Sequence, residues 1–305
     1  MGEVFAGRYE LVDLLGTGGM GAVWRAWDRR TQTYVAAKVL QQRDSASLLR
    51  FIREQAMRIE DPHVVTPLGW AGEDDRVLFT MPLVRGGSVA TLLGDFGPLP
   101  QRWVSELLRQ LLAALAAVHQ AGVVHRDVKP GNLLLNPTGT ARPFLRLSDF
   151  GIALPLSGPR LTRTDVVIGT AGYLSPEVAQ GAEPTPAQDL YAAGRVGIAM
   201  LTGVDAGRAD WAEGVHPALV ALIGCLSQGD PQQRPADGSA AVGLATSLGL
   251  PDWVSEDDGV EVFEHVSALP LAPPGAPAPT PERSQPTAPW PAPTQAAQPP
   301  TQAGP

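Results

Sequence analysis

The hydrophobic period of this chain changes once, near Val84, and that change limits the fold more than any other feature. Up to Val84 apolar residues alternate along short runs, the pattern of half-buried strands. "YELVDLL" and "GAVWRAW" flank a glycine cluster, "TYVAAKVL" follows, and "HVVTPLGWA" and "RVLFTMPLV" close the set. One segment interrupts them: Ser45–Ile59 puts Leu48, Ile52, Ala56 and Ile59 on one helical face. Beyond Val84 the period becomes helical. Gln101–Gln120 carries Val104, Leu107, Leu111, Leu115 and Val118 on one stripe, and further helices are predicted at Thr185–Leu201 and His216–Gln228. The expected class is α+β and bilobal, with a small β-rich lobe over residues 1–84 and a larger α-helical lobe over 85–250. A cleft between two such lobes is a favoured ligand site.

Composition shifts again near residue 251, which sets the expected domain boundary there, with 251–305 as a Pro/Ala-rich disordered tail. From Leu271 to Pro305, 12 of 35 residues are proline, too little apolar surface to offset the entropy of ordering. A proline-rich tail also suits docking to a partner. The net charge of −8 argues against nucleic acid as a partner, because such binders carry basic surfaces. Cys225 is the single cysteine, so no internal disulfide forms and a reducing, cytoplasmic location is expected, with the thiol buried and inert. The start "MGEVFAGRYE" has no signal-peptide pattern, and no apolar run is long enough to span a membrane.

Two segments carry chemistry. "GTGGMGAV" places Gly16, Gly18 and Gly21 as G-x-G-x-x-G between two alternating strands, so a glycine-tipped hairpin is expected rather than a strand-to-helix dinucleotide turn. Such a tip lets backbone N–H groups approach phosphates, since glycine has no Cβ in the way. "VVHRDVKPGNLLL", Val123 to Leu135, sets Arg126, Asp127, Lys129 and Asn132 between apolar runs. By itself it fits either a solvated turn or a catalytic loop.

The order of motifs decides between these. "GTGGMGAV", "VAAKVL", "HRDVKPGN", "SDFG" and "GTAGYLSPE" follow one another between Tyr9 and Leu250. The set resembles the protein-kinase signature, specifically that of the bacterial eukaryotic-like serine/threonine kinases. The resemblance implies a bilobal protein-kinase-like fold, ATP with Mg2+ (or Mn2+) as cofactors, and protein substrates bearing Ser or Thr. It implies that Asp127 orients the acceptor hydroxyl and takes its proton, that Lys129 steadies the γ-phosphate, and that Lys38 holds the α- and β-phosphates. Glu54 would pair with Lys38, and Asn132 and Asp149 would hold the metal. Gly16, Thr17, Gly18, Gly19, Met20, Gly21, Val23, Ala36 and Leu134 would surround ATP, Met81 would back the adenine pocket, and the Pro82 carbonyl and Val84 N–H would pair with the base. His125 is expected to be a packing residue under the loop, and His63, His119, His216 and His265 ordinary polar or packing residues.

The resemblance also implies regulation. Thr162 and Thr164 stand where relatives carry activating phosphothreonines, with Arg126 as the partner of such a phosphate, and self-association would serve autophosphorylation. Thr170 belongs to the acceptor pocket and contacts Asp127; Glu177 pairs with Arg234, and Asp189 holds the catalytic-loop backbone, all three structural. The chain departs from the family pattern twice. Glu54 stands close before Pro62, with Arg58 where an apolar residue is expected, and "LTGVDAGRADWAEGVH", Leu201 to His216, is short for a segment that should hold a docking helix. Two other functions compete with a protein kinase. A nucleotide-binding scaffold without catalysis is disfavoured by the presence of Lys38, Asp127, Asn132 and Asp149; a small-molecule phosphotransferase is disfavoured by "GTAGYLSPE" but kept open by the shortened docking segment.

Overall fold

The computed structural model describes residues 3–18, 21–41, 59–73, 76–149, 172–203 and 211–266. Strands β1 (Val4–Phe5), β2 (Tyr9–Gly18), β3 (Gly21–Asp28), β4 (Thr33–Gln41), β5 (Gly69–Glu73) and β6 (Arg76–Pro82) form one sheet in the order β1-β2-β3-β4-β6-β5. Every neighbouring pair is antiparallel. Alternation along β4 decides what each face does. Val35 and Ala37 turn into a small core with Phe5, Tyr9, Leu11, Ala26 and Leu78. Ala36 and Lys38 therefore take the opposite face, which is the cleft face. The β2–β3 hairpin closes at Gly18 opposite Gly21. Gly21 has φ 141°, and a Cβ there would run into the Val39 carbonyl of β4, so the glycine is required where the hairpin crosses its neighbour. Across the same hairpin, Arg25 is 5% exposed and forks onto Asp13 at 2.6 and 2.8 Å.

The second lobe is helical: α1 (Val89–Phe96), α2 (Gln101–Gln120), α3 (Pro176–Ala179), α4 (Pro186–Thr202), α5 (Pro217–Leu226) and α6 (Gly238–Ser247). Proline opens α3, α4 and α5, where its missing N–H is no loss. The stripe expected on α2 is present but wider. Trp103, Leu108 and Leu112 join Val104, Leu107, Leu111, Leu115 and Val118 at zero exposure, because α4 and α6 both lie against α2. At Gly238 the start of α6 comes so close that a Cβ would strike the Ala116 backbone. The hairpin of β7 (Leu133–Leu135) and β8 (Leu145–Leu147) lays Leu133, Leu135, Leu145 and Leu147 on this core. Among the described residues no helix is long and apolar enough to cross a membrane.

Several expectations need correction. Residues 251–266, expected within the tail, are built onto the helical lobe. Trp253 meets Trp103 edge-on at 5.2 Å, the Trp103 indole donates to Asp258 at 3.1 Å, and Val260 and Val262 are buried. The segment is irregular, so its few apolar residues produce no period from which a packed element could be inferred. Helices α1 and α6 were not expected. Ser88 caps α1 through a box with Thr91 rather than the usual acid or amide three residues on. Cys225 is partly exposed, with its sulfur 3.8 Å from the Gln233 carbonyl. The helix predicted at Ser45–Ile59, apart from Ile59, lies outside the described residues, as do 204–210 of the shortened segment and 267–305 of the tail.

Candidate active site

The loop from Val123 to Asn132 links α2 to β7 and is held from below. Val123 and Val128 sink into the helical core, which fixes the loop at two points. Asp189, in the first turn of α4 and 1% exposed, fixes it between them. Its carboxylate accepts the backbone N–H of His125 and of Arg126, each at 2.7 Å. These contacts hold Arg126 at φ 69°, a left-handed conformation that a non-glycine residue keeps only when its surroundings impose it. Asp189 also contacts His119 Nε2 at 2.9 Å. The other ring nitrogen of His119 accepts the Gly238 N–H at 2.9 Å, so the ring proton lies on Nε2 and is donated to Asp189. A relay therefore runs from the start of α6 through α2 to the loop. Sequence reasoning placed His119 among ordinary histidines; nothing in its spacing pointed to Asp189 or Gly238.

His125 is fully buried. Its Nε2 donates to the Ser148 carbonyl at 3.0 Å, and its Nδ1 accepts the Asp127 N–H at 3.3 Å. Burial holds its pKa below the ordinary value against the pull of Asp189 and the Ser148 hydrogen bond. The neutral ring thus braces the loop. The Arg126 guanidinium is half-buried, and burial lowers its pKa while Asp189 and Glu183 raise it.

The chemical groups stand above this base. Asn132 donates from Nδ2 to the Asp127 carbonyl at 2.7 Å and to the Asp127 carboxylate at 2.8 Å. Lys129 Nζ lies 2.9 Å from the same carboxylate. The acid, the amide and the lysine are therefore one cluster. Ser148 ties the loop to the next strand by donating its hydroxyl to the Asn132 carbonyl at 3.0 Å. One residue on, Asp149 has φ 56° and meets Lys38 Nζ at 2.8 Å. This bond joins β4 of the small lobe to the end of β8 in the large one, across the cleft.

That cleft has a volume of about 860 Å³. Gly16, Thr17, Gly21, Val23, Ala36 and Lys38 line it from the sheet, and Met81, Pro82 and Val84 line it from the connection between lobes. Arg126, Asp127, Lys129, Asn132, Leu134, Asp149 and Asp189 line it from the helical lobe. Asn132 spends its amide nitrogen on Asp127, which leaves the amide oxygen for a cation, and Asp149 already attracts the Lys38 ammonium. Two such oxygen donors suit a hard divalent ion that takes its other ligands from water and phosphate. Among the described residues no group of three or more His, Cys, Asp or Glu side chains could hold a metal on its own.

The family profile for the protein kinase domain matches residues 9–236. The chain belongs to that family. A serine/threonine-protein kinase of Corynebacterium efficiens is 35% identical over 274 residues, covering 81% of this chain and 52% of its own length. Serine/threonine-protein kinase PknA of Mycobacterium tuberculosis is 38% identical over 214 residues, covering 67% of this chain and 48% of its own length. Serine/threonine-protein kinase PknL of the same species is 33% identical over 274 residues, 81% of this chain and 68% of its own. The chain thus spans about half the length of the first two relatives. The bilobal architecture is that of a kinase domain, and the family implies ATP and a divalent metal, generally Mg2+.

The remaining residues of the kinase domain fall into two sets. Glu54, Gly19, Met20, Thr162, Thr164 and Thr170 lie outside the described residues; Gly18 pairs with Gly21 at the hairpin end. Glu177 and Arg234 meet below the cleft. The buried Arg234 fork donates to the Glu177 carboxylate at 2.6 and 2.9 Å and to the carbonyls of Gln228, Ala187 and Gly229, so each of its N–H groups has an acceptor. Tyr191 lies under the guanidinium at 4.8 Å, a contact with no sequence signal. Burial works to raise the Glu177 pKa, and the hydrogen bonds from Arg234 and its neighbours outweigh it, leaving the carboxyl below its ordinary value.

Proposed function

We propose that the chain is an ATP-dependent serine/threonine protein kinase. The observation that carries this is the Lys38–Asp149 contact at 2.8 Å, set in one cleft with the Asp127–Lys129–Asn132 cluster. Phosphoryl transfer asks a protein for alignment and charge neutralisation rather than covalent chemistry, and these side chains offer both. In this reading the Pro82 carbonyl and Val84 N–H hold adenine, with Met81 behind it, and the Gly16–Gly21 hairpin covers the phosphates. Lys38 holds the α- and β-phosphates, and Glu54 is its second partner. The acceptor hydroxyl gives its proton to the Asp127 carboxylate as its oxygen bonds to the γ-phosphorus. The bond from that phosphorus to the β–γ bridging oxygen breaks, and ADP leaves. Lys129 stays beside the transferred group. Asp149 and Asn132 hold the divalent ion, Mg2+ or Mn2+, whose chemistry is to neutralise charge on the phosphate oxygens.

Further assignments belong to the same proposal. Thr170 helps shape the acceptor pocket, while Asp189 and the Glu177–Arg234 pair hold the loop and the lobe beneath it. Phosphorylation at Thr162 or Thr164, by self-association of two copies, adds charge that Arg126 can pair with. The single cysteine suits a cytoplasmic location, and the proline-rich tail suits a docking partner. The test is incorporation from γ-labelled ATP with Mg2+, wild type beside Asp127→Asn. Label in the wild-type chain or a general protein acceptor, lost in the variant, is expected; no incorporation by wild type would overturn the proposal. Mass spectrometry of active enzyme checks Thr162 and Thr164, and finding both unmodified would remove the regulatory part.

A further inference from the structure

The family match ends at residue 236, yet the cleft that holds Lys38 and Asp149 is also lined by His265 and Val266. These residues are held against its frame by several bonds. The His265 N–H donates to the Arg85 carbonyl at 2.7 Å, directly after the connection between lobes. Arg85 in turn pairs with Glu264 at 2.6 Å. Val262 exchanges two backbone hydrogen bonds with Gly139, at 3.2 and 2.9 Å, and its side chain fills the space beside Gly86. The imidazole of His265 and the side chain of Thr91 crowd Gly87, leaving no room for a Cβ at residue 87. Gly87, Ser88 and Thr91 line the same cleft. A run of sixteen residues counted from 251 to 266 thus crosses the helical lobe, passes Trp103, and reaches the cleft mouth.

We propose that His265 and Val266 form the outer wall of the nucleotide site and touch the nucleoside end of a bound purine nucleoside triphosphate. The inference rests on the adenine placement given above. If the base lies along Pro82–Val84 and the phosphates at Lys38 and Asp149, the mouth bounded by Gly87, Ser88 and Thr91 is where the nucleoside is exposed. Val266 offers that end an apolar surface, and His265, whose Nε2 lies 3.8 Å from Asp95, offers a flat ring beside Gly87. The phosphates have their own partners, so the wall contributes to nucleotide binding and leaves the transfer step alone.

The experiment uses the full chain in two parts. Steady-state kinetics compare wild type with His265→Ala/Val266→Ala and with Glu264→Arg, which sets two cations face to face at Arg85. The expected result is a KM for ATP raised on the order of tenfold, as for a lost apolar contact in a pocket, with kcat and the nucleotide-free melting temperature unchanged. Hydrogen exchange of wild type, with and without ADP, is expected to slow at the amides of 262–266 when nucleotide is present. An unchanged KM in stable variants would overturn the proposal. If the variants lose stability, the exchange of wild type decides, and no slowing at 262–266 would overturn it. A wild-type chain that binds no ATP would overturn the kinase reading together with this one, whereas normal ATP binding with unaffected variants overturns this one alone.

Discussion

Two ion pairs in this molecule look alike as pairs and differ in what surrounds them. Arg234–Glu177 lies inside the helical lobe, below the cleft, and its arginine side chain has no exposure. Every donor of the fork is matched, and Tyr191 closes the remaining face. Lys38–Asp149 spans the cleft, with side-chain exposures of 14% and 32%. An ammonium has three donors and a carboxylate about four acceptor sites, so this pair keeps capacity for other partners. A pair whose hydrogen bonds are all taken resists rearrangement and serves as structure. A pair with open valences can exchange one partner for phosphate or metal.

The largest effect should come from the saturated pair. Arg234→Ala removes a fully buried cation and leaves the partly buried Glu177 carboxylate and three carbonyls without it; it is expected to destabilise the fold by about 3 kcal/mol, read as a large fall in melting temperature. Arg234→Lys should recover little, because a lysine cannot serve the carbonyls of Gln228, Ala187 and Gly229 together. Lys38→Met tests the open pair. Stability should stay within about 1 kcal/mol, the worth of a partly exposed ion pair. Phosphoryl transfer, measured with labelled ATP, should drop about 10²- to 10³-fold, the loss typical of one preorganised electrostatic contact. Equal melting losses for Arg234→Ala and Lys38→Met would erase the distinction.

His119→Phe is expected to cost about 1–3 kcal/mol, because the Gly238 N–H and one Asp189 lone pair lose their partner. Its transfer rate should fall in step with the loosened loop, so a variant that melts early but transfers normally would separate the relay from catalysis. The smallest effect concerns pH. The folded pKa of His125 lies below the ordinary 6.5, so the unfolded chain binds a proton there that the folded chain does not. The stability from the neutral ring is fully present above about pH 6.5 and is lost as pH falls toward the folded pKa. The slope from this one group is at most about 1.4 kcal/mol per pH unit, and thermal melts of wild type against His125→Gln should differ in that slope.

The parts of the site legible in the sequence are those whose chemistry needs one residue type at one place in an ordered set. Lys38, Asp127, Asn132 and Asp149 could be named because their motifs follow one another in an order that resembles the kinase signature, and all four line one cleft. The α2 stripe could be named because a buried helix repeats its apolar residues at a fixed period. His119 could not, since its role is a distance to Gly238, some 119 positions away. Residues 253–262 were assigned to the tail because Trp253, Val260 and Val262 each fill a separate site, without a repeat. Helix α1 escaped because its start signal is Ser88 with Thr91, and its last turn contains Gly94 and Asp95.

The contact between Arg85 and Glu264 joins residues 179 apart. The entropy of closing so long a loop grows only with the logarithm of its length, so its thermodynamic penalty is modest. Its effect is on timing. A chain is made from its N-terminus at about 5–20 residues per second, and units fold as they emerge. Lys38, Asp127 and Asp149 are all synthesised well before Glu264. A nascent chain can therefore assemble both lobes while the mouth of the cleft still lacks one side. Synthesis through residues 262–266 finishes the described wall of the pocket, and ribosome-bound chains stopped before and after residue 266 would differ in the shape they offer to a nucleotide.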